Sequence, residues 1–488
     1  MIKTLLIENF RSIERLEITF ESINALVGAN NAGKSNIMRA LNLVLGSTYP
    51  SIRSFDQHDF HDYNKANKIV IAPVFTAPLT SNRSVWGFRL TFDGNDCDFF
   101  ATAKDGTILT YSSGRETRVS NEMKDEVTLM YLGLDREASE QVKSTQWTLY
   151  GKLLKHIERK IPVAEKDKFI DDIKISYDSN IAKNILSLEE TLKDHIKKQT
   201  GLQLHLRMKL FNTLDTIKNL RPYLSEDPSS VEFDAEDMGA GTQSALAIAI
   251  ARAYGKFIKQ PLVLAIEEPE LYLHPHGCRR FYKTLRELTV DGIQVIYTTH
   301  DRCFVDISNF QELHHIKKQD GKTLINSGIN GITTPHHQLS TVSKFDDNIN
   351  EVFFSNHAIL VEAGPDKIAC HTALETLGLD LDKESISIVD CAGNSNIKPI
   401  AEILILLNIP TYALVDEDPG NPKTAGIIAN LKSCLGADNV FLQSPKLEDM
   451  FGLSKKPTRA ESITFFPTWF VNNIPQDVYH QLKERISL

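Results

Sequence analysis

Eight residues near the start of this 488-residue chain have the types and spacing of a phosphate cradle: Gly28-Ala29-Asn30-Asn31-Ala32-Gly33-Lys34-Ser35. The pattern is Gly, four residues, then Gly-Lys-Ser. The run Ile23 to Val27 before it reads as a buried strand, and Asn36 to Leu45 after it is spaced as a helix. Glycine lets backbone N–H groups close on a phosphate at a helix N-terminus, where the dipole favours negative charge. Gly28, Asn30, Asn31 and Gly33 are therefore expected to line the cradle. Lys34 should reach the β- and γ-phosphates of ATP, and Ser35 should bind magnesium.

Two further apolar strands end in polar groups suited to the same chemistry. Leu262 to Ile266 runs into Glu267-Glu268-Pro269-Glu270, and a parallel sheet delivers its ligands at this end of a strand. Glu267 is expected to help hold magnesium and Glu268 to orient the attacking water. Ile293 to Tyr297 ends in Thr298-Thr299-His300, placing His300 to sense the γ-phosphate. Taken singly, acidic pairs also cap helices, and a histidine after a strand is often a satisfied loop residue. Their order behind a phosphate loop is what gives them a common purpose.

A second carboxylate set lies towards the C-terminus. The strand Ala358 to Val361 ends in Glu362, followed by Ala363-Gly364-Pro365-Asp366 and an apolar helix. Ile386 to Val389, a turn at Cys391 to Asn394, and a helix from about Ile397 to Leu407 come next, and then Thr411 to Val415 runs into Asp416-Glu417-Asp418. This rhythm predicts a small parallel sheet with Glu362 and Asp416 on neighbouring strand ends. Because side chains alternate along an extended segment, Asp416 and Asp418 are expected to point the same way and to share a cation, while Glu417 is read as facing solvent. Oxygen ligands suit magnesium, and two such ions can activate a water and stabilise a leaving oxygen of a phosphodiester. There is no Cys/His pattern for zinc. Each acid alone is more often a turn or cap residue, so the signal is the combination.

Two resemblances extend these readings. Met238-Gly239-Ala240-Gly241-Thr242-Gln243-Ser244, leading into a helix Ala245 to Tyr254, resembles the signature segment of ABC-type ATPases in the loose form of their DNA-repair relatives. It implies that Gly239, Gly241 and Gln243 face the phosphate loop of a second subunit across ATP, in at least a homodimer. Leu271-Tyr272-Leu273-His274-Pro275 looks like the segment such ATPases place at the dimer seam. The C-terminal set resembles a Toprim domain, and an ABC-type head joined to a Toprim domain is the plan of the OLD (overcoming lysogenisation defect) family of nucleases. That resemblance covers nearly the whole chain. It implies that Glu362, Asp416 and Asp418 are metal acids, that Asp366 serves a second metal, that Glu448 is the downstream acid, and that Gly393 lets the backbone approach the site. Lys455 or Lys456 matches the family's lysine by position only, and Ala363 stands where the family has glycine.

The expected fold is thus α/β, an ABC-type P-loop ATPase head with a helical insertion plus a C-terminal Toprim (Rossmann-like) domain. The expected segments are 1–135 for the first ATPase lobe, 136–230 for a helical, dimerising insertion, 231–345 for the second lobe and 346–488 for the Toprim domain with a short aromatic tail. The implied activity is ATP hydrolysis coupled to cutting of DNA with Mg2+ or Mn2+, in anti-phage defence and with a possible co-encoded partner. The rivals are an ATP-switched repair clamp or scaffold and an effector silenced by a partner. A transporter has no use for the C-terminal acids. A net charge of −9 disfavours indiscriminate coating of nucleic acid while leaving a local DNA track open, and stretches such as Lys152 to Lys160 and Lys193 to Arg207 read rather as solvated helix faces. Six cysteines without paired spacing, and no apolar run of membrane-spanning length, predict a reduced, cytoplasmic protein.

Overall fold

A computed structural model of the chain describes residues 1–133, 148–180, 213–217, 219–225, 231–271, 273–328 and 349–487, with isolated positions between 143 and 193. Tyr272 of the expected seam, the loop at 226–230, residues 194–207 of one basic stretch and the expected lobe end near 345 lie outside the described residues. Two compact units emerge, one formed by Met1–Leu134 with Pro261–Leu488, the other by Asp135–Gln260.

In the first unit, β1 (Ile2–Phe10), β2 (Ile13–Thr19), β4 (Ile69–Phe75), β5 (Gly87–Phe92) and β6 (Cys97–Thr102) form an antiparallel sheet in the order β2-β1-β4-β5-β6. Residues Leu16 to Thr19 of β2 alternate between buried and exposed, as a sheet with one wet face requires. The second sheet runs β13-β12-β3-β11-β10-β7, from β3 (Ile23–Val27), β7 (Thr128–Leu132), β10 (Leu262–Glu267), β11 (Ile293–Thr298), β12 (Leu313–Gln319) and β13 (Lys322–Ser327). All residues of β3, β10 and β11 are buried, because these parallel strands are covered on both faces. The helix Lys34–Leu45 buries Ile37, Met38, Leu41, Val44 and Leu45 against both sheets' apolar core. This i, i+4, i+7 stripe is the helical spacing seen in the sequence, and each such side chain contributes about 1.5–3 kcal/mol of burial.

A third sheet in the same unit holds the C-terminal acids. Its order is β15 (Ile386–Asp390), β14 (His357–Val361), β16 (Thr411–Asp416), β17 (Val440–Gln443), all parallel. The helix expected from Ile397 begins at Asn394, directly after Gly393. The residues expected as a tail are part of the domain. The helices Arg459–Asn472 and Asp477–Ile486 bury Phe466, Phe470, Tyr479, Leu482 and Ile486 against Ala369, Leu374 and Phe451.

The described residues of the second unit are mainly helical, with Leu149–Lys160, Val163–Asn180, Thr213–Ile217 and Ala240–Ile258, and a short pair β8 (Tyr223–Leu224) and β9 (Phe233–Asp234). Thr148 starts the first helix by accepting a hydrogen bond from the Gly151 amide at 3.0 Å, and Leu149, Leu153 and Leu154 form its buried face. The helix expected from Ala245 starts at Ala240, so Gly241 and Gln243 lie inside it, and Gln243 is buried with its amide donating to the Glu236 carbonyl at 2.8 Å. The signature segment therefore groups with this helical unit rather than with the strands that carry Glu267 and His300.

Candidate functional site

The phosphate loop follows the last residue of β3. Gly28 has φ +140°, and a Cβ there would stand 2.0 Å from the Ile316 carbonyl oxygen. At Gly33, with φ +112°, a Cβ would stand 2.1 Å from the Thr323 hydroxyl. Glycine is therefore required at both positions by backbone angle and by neighbouring strands β12 and β13. The Lys34 ammonium donates to the Gly28 and Ala29 carbonyls at 2.9 and 3.0 Å and to His300 Nε2 at 2.8 Å. The Ser35 hydroxyl donates to Glu267 Oε2 at 2.9 Å, and Tyr131 from β7 donates to the other oxygen. Because β10 and β11 pair in register, Glu267 faces Thr298 and the loops after them run side by side.

Beyond β10, Glu268 adopts φ +47° and turns towards His300, whose Nε2 lies 3.4 Å from Glu268 Oε1. Glu270 fixes the backbone of the histidine loop, with one oxygen accepting from the Thr299 hydroxyl (2.9 Å), the His300 amide (2.7 Å) and the Asp301 amide (3.2 Å). Burial, and then the proximity of Glu270, push the Glu268 carboxyl up to about 8. Burial likewise lowers the Lys34 ammonium to about 8, against the upward pull of Glu268, Glu270 and Glu267. His300 is lowered by burial and then by Lys34. These groups surround a cavity of about 1060 Å³ lined also by Asn30, Asn31, Asp301, Glu351 and Phe354. A nucleoside triphosphate fits such a space, and all of Gly28, Asn30, Asn31, Gly33, Lys34, Ser35, Glu267, Glu268 and His300 lie at or next to it.

The acidic site forms where the third sheet reverses its strand order, between β14 and β16, the place where open α/β sheets take ligands. Glu362 follows β14 and Asp416 ends β16. Asp366 is in the first turn of the helix Gly364–Thr376. All three carboxylates converge on one cation, the Lys456 ammonium, at 3.5 Å from Glu362, 3.0 Å from Asp366 and 3.2 Å from Asp416. Burial drives the Asp366 carboxyl up to about 7 despite Lys456. Burial also works against the Lys456 charge, yet Asp366, Asp416 and Glu362 together hold its pKa above the ordinary lysine range. Asp416 accepts the Leu447 amide at 2.9 Å. With its amide oriented to satisfy its neighbours, Gln443 donates to Asp416 and Asp366 at 3.0 Å each and accepts from the Tyr479 hydroxyl at 3.2 Å.

Asp418 is not in this cluster. The strand ends at Asp416, and Asp418 takes φ +45°, so the alternation of an extended chain stops and the side chain pairs with Lys446 at 2.8 Å and Asn421 at 2.9 Å. The Lys446 bond and then the Asn421 amide keep its carboxyl below the usual range. Asp416 is thus paired with Lys456 and Asp418 with Lys446, rather than both with one lysine. Glu417 accepts from the Ser444 hydroxyl. Glu448, in the short helix Leu447–Met450, has a buried oxygen Oε2 without a hydrogen-bond partner. Among the described residues no three acids, histidines or cysteines are grouped to grip a metal as they stand. The Lys456 ammonium lies 3.0–3.5 Å from each of the three acids, longer than a magnesium–oxygen bond of about 2.0–2.1 Å. Three carboxylates round one cation, with an orphaned carboxylate oxygen nearby, are a donor set that fits a hard divalent ion.

Some participants have little or no signal in the sequence. Glu270 was adjacent to the acids singled out, while Tyr131, Gln443 and Tyr479 come from distant strands and helices. Between Lys455 and Lys456, it is Lys456 that enters the acidic site. None of the six cysteines is in a disulfide, and no described helix is long and apolar enough to cross a membrane.

Comparisons with known proteins bear on both halves. A family model described as "AAA domain, putative AbiEii toxin, Type IV TA system" matches residues 23–306, more than half of the chain, and one described as "Overcoming lysogenization defect protein-like, TOPRIM domain" matches residues 353–418. The OLD nuclease of Thermus scotoductus is 28% identical over 503 aligned positions, covering 95% of this chain and 94% of that protein. The Old nuclease of Escherichia phage P2 is 25% identical, covering 84% and 76%. The solved SMC head domain from Thermotoga maritima aligns over 67% of this chain and 98% of its own at 14% identity, with a TM-score of 0.32.

Proposed function

Because the chain belongs to the OLD family, an AAA-type ATPase joined to a Toprim domain, we propose that it hydrolyses ATP and uses divalent metal to cut DNA phosphodiesters. The observation that carries the nuclease half is the convergence of Glu362, Asp366 and Asp416 on a single cation at the strand-reversal point.

In the ATPase half, the loop amides and Lys34 bind the β- and γ-phosphates. Lys34 exchanges its bonds to the Gly28 and Ala29 carbonyls for phosphate oxygens, which costs no new charge burial. Ser35 and Glu267 would hold Mg2+, which neutralises phosphate charge when bound. Glu268 orients the attacking water, and His300, anchored through Glu270, contacts the γ-phosphate. In the nuclease half, Glu362, Asp366 and Asp416 would hold Mg2+ or Mn2+, with Glu448 and Asp418 as outlying acids, and the metal when bound would supply an activated water. Lys456, once released from the acids, remains close enough to offset negative charge on the phosphodiester.

The same reading includes a homodimer in which Gly239, Gly241 and Gln243 meet the partner's nucleotide. It also includes a cytoplasmic role in defence against phage, with a possible co-encoded partner. These parts rest on family resemblance. The deciding experiment incubates the purified full chain with supercoiled and linear DNA, with Mg2+ or Mn2+, with and without ATP, beside Asp416→Ala. Metal-dependent cutting that disappears in the variant is expected. Equal cutting by both proteins would remove the acidic site from the reaction, and no cutting by either would turn the reading towards an ATP-switched scaffold.

A further inference from the structure

The segment leading into β14 is also a wall of the nucleotide cavity. A short 3-10 helix, Ile349–Phe354, presents Glu351 and Phe354 to that cavity, and three residues after it β14 begins, with Glu362 at its far end. Ile349, Val352 and Phe353 are buried, so the segment is packed in place. It is tied on one side to the loop after His300, where the buried Asn350 amide donates to the Val305 carbonyl at 2.8 Å. It is tied on the other to the nuclease sheet: the Asn356 amide donates to the Ser385 carbonyl at 2.8 Å, and the Ser355 and Ser387 hydroxyls share a hydrogen bond at 2.5 Å. The Phe354 ring lies 6.4 Å from the His300 ring, centre to centre, tilted by 35°. Asn350 Oδ1 is buried without a donor, so the present arrangement of this segment leaves one polar group unsatisfied.

We propose that Phe354 is a positioning residue that holds the His300 imidazole for the γ-phosphate and, because it is continuous with β14, carries the nucleotide state of the ATPase site to Glu362. His300 has two alternative polar neighbours, Lys34 at 2.8 Å and Glu268 at 3.4 Å, and a γ-phosphate competes for Lys34. When Lys34 turns to phosphate, the imidazole loses its nearest polar partner, and the aromatic ring beside it that limits where it can turn is Phe354. A shift there enters a buried five-residue strand, roughly 16 Å of extended chain, that is hydrogen-bonded on both sides and cannot absorb the movement by bending. The far end of that strand is the first acid of the metal set.

This inference rests on the reading of the chain as an ATP-controlled nuclease, and its test separates the two. Full-length Phe354→Leu keeps apolar bulk without a ring face, and Phe354→Tyr keeps the ring. Each is compared with the parent by two measurements. The first is amide hydrogen exchange across Ala358–Val361 before and after adding a non-hydrolysable ATP analogue. The second is the ratio of metal-dependent DNA cleavage with ATP to cleavage without it, each variant against its own nucleotide-free rate. In the parent and the Tyr variant, exchange in β14 and the cleavage ratio should each change by about fivefold or more on nucleotide addition, in either direction, and in the Leu variant both should stay near one. A Leu variant that responds like the parent overturns the proposal, as does a Tyr variant that fails like Leu. If exchange responds in the parent but no DNA is cut, the coupling stands and the nuclease reading falls. If the analogue leaves β14 unchanged in the parent, the coupling itself is wrong.

Discussion

Each of the two sites places a lysine near three carboxylates, and the lysines end in opposite states. At the phosphate loop none of the three acids reaches the lysine within a salt-bridge distance: Ser35 and Tyr131 take Glu267, Thr299 with two backbone amides takes Glu270, and Glu268 lies 3.4 Å from His300. Lys34 is left with two carbonyls and an imidazole, and burial lowers its pKa to about 8. At the Toprim sheet the acids bind the lysine directly, and their attraction outweighs burial. Carbonyl contacts are easily surrendered to a stronger acceptor, so the first arrangement awaits an anion. Three carboxylates are expensive to leave without a cation, so the second awaits a replacement of the same sign. Identical residue types thus make an anion site or a cation site according to who else satisfies the carboxylates.

The sharpest way to break this contrast is Lys34→Ala, which should lower ATP turnover by about 10³-fold as measured by phosphate release, comparable to losing a key electrostatic donor. Turnover within a few-fold of the parent would mean that Lys34 is not reserved for phosphate. Next, Asp416→Ala should reduce metal-dependent cleavage by at least about 10²-fold, more than loss of a mere outer-sphere partner, while ATP turnover changes by less than about threefold. Parallel loss of both activities would deny that the sites are chemically separate.

Lys456→Met tests the cation site without using activity. The metal-free protein should lose about 1–3 kcal/mol, seen as a lower thermal midpoint, and Mg2+ or Mn2+ should restore much of it. The loss should be greater at pH 8 than at pH 6, since Asp366, with its carboxyl at about 7, takes up a proton on the acid side and relieves the repulsion. A midpoint indifferent to both substitution and metal would count against three acids needing a cation.

The smallest effect concerns the joint between the regions. Buried His315, on β12 beside the phosphate-loop strand, donates from Nδ1 to the Leu407 carbonyl of the Toprim domain at 3.1 Å, and burial lowers it to about 4. Its folded pKa is below the unfolded value near 6.5, so its stability contribution is present above that value and is lost as pH falls towards 4. His315→Gln should remove about 1 kcal/mol of acid sensitivity near pH 5.5, measured as the difference in thermal midpoint against pH. An unchanged acid slope would show that this histidine is not protonated on unfolding in that range.

The fold and the nucleotide loop were legible in the sequence because their determinants are local. A glycine pattern, the strand before it and the helix after it are contiguous, and fully apolar five-residue runs announce covered parallel strands. The acid on each Toprim strand end was legible for the same reason. The surroundings of Asp418 were not, because its positive φ ends the extended backbone that period-two counting assumes. Gln443 was invisible because it meets Asp416 only through the pairing of β17 with β16, and Tyr479, which bonds Gln443, lies on the last helix, in a segment that reads as a tail until it is folded. Lys455 and Lys456 differ by one position, and only the turn ahead of the helix at Arg459 decides which points inward.

The phosphate-loop sheet also sets a timetable. β3 has no parallel neighbour in nearby sequence: its Asn24 amide bonds the Val295 carbonyl, 271 residues later, and its partners β11 and β12 both come from that distant stretch. On a ribosome adding about 5–20 residues each second, an apolar strand waits roughly 15–55 s for the strands that will cover it. Long-range pairing of this kind also slows folding once synthesis is done. Newly made chains should therefore depend on chaperones that shield the first lobe, and cells short of them should accumulate this protein as aggregates before its other domain has been translated.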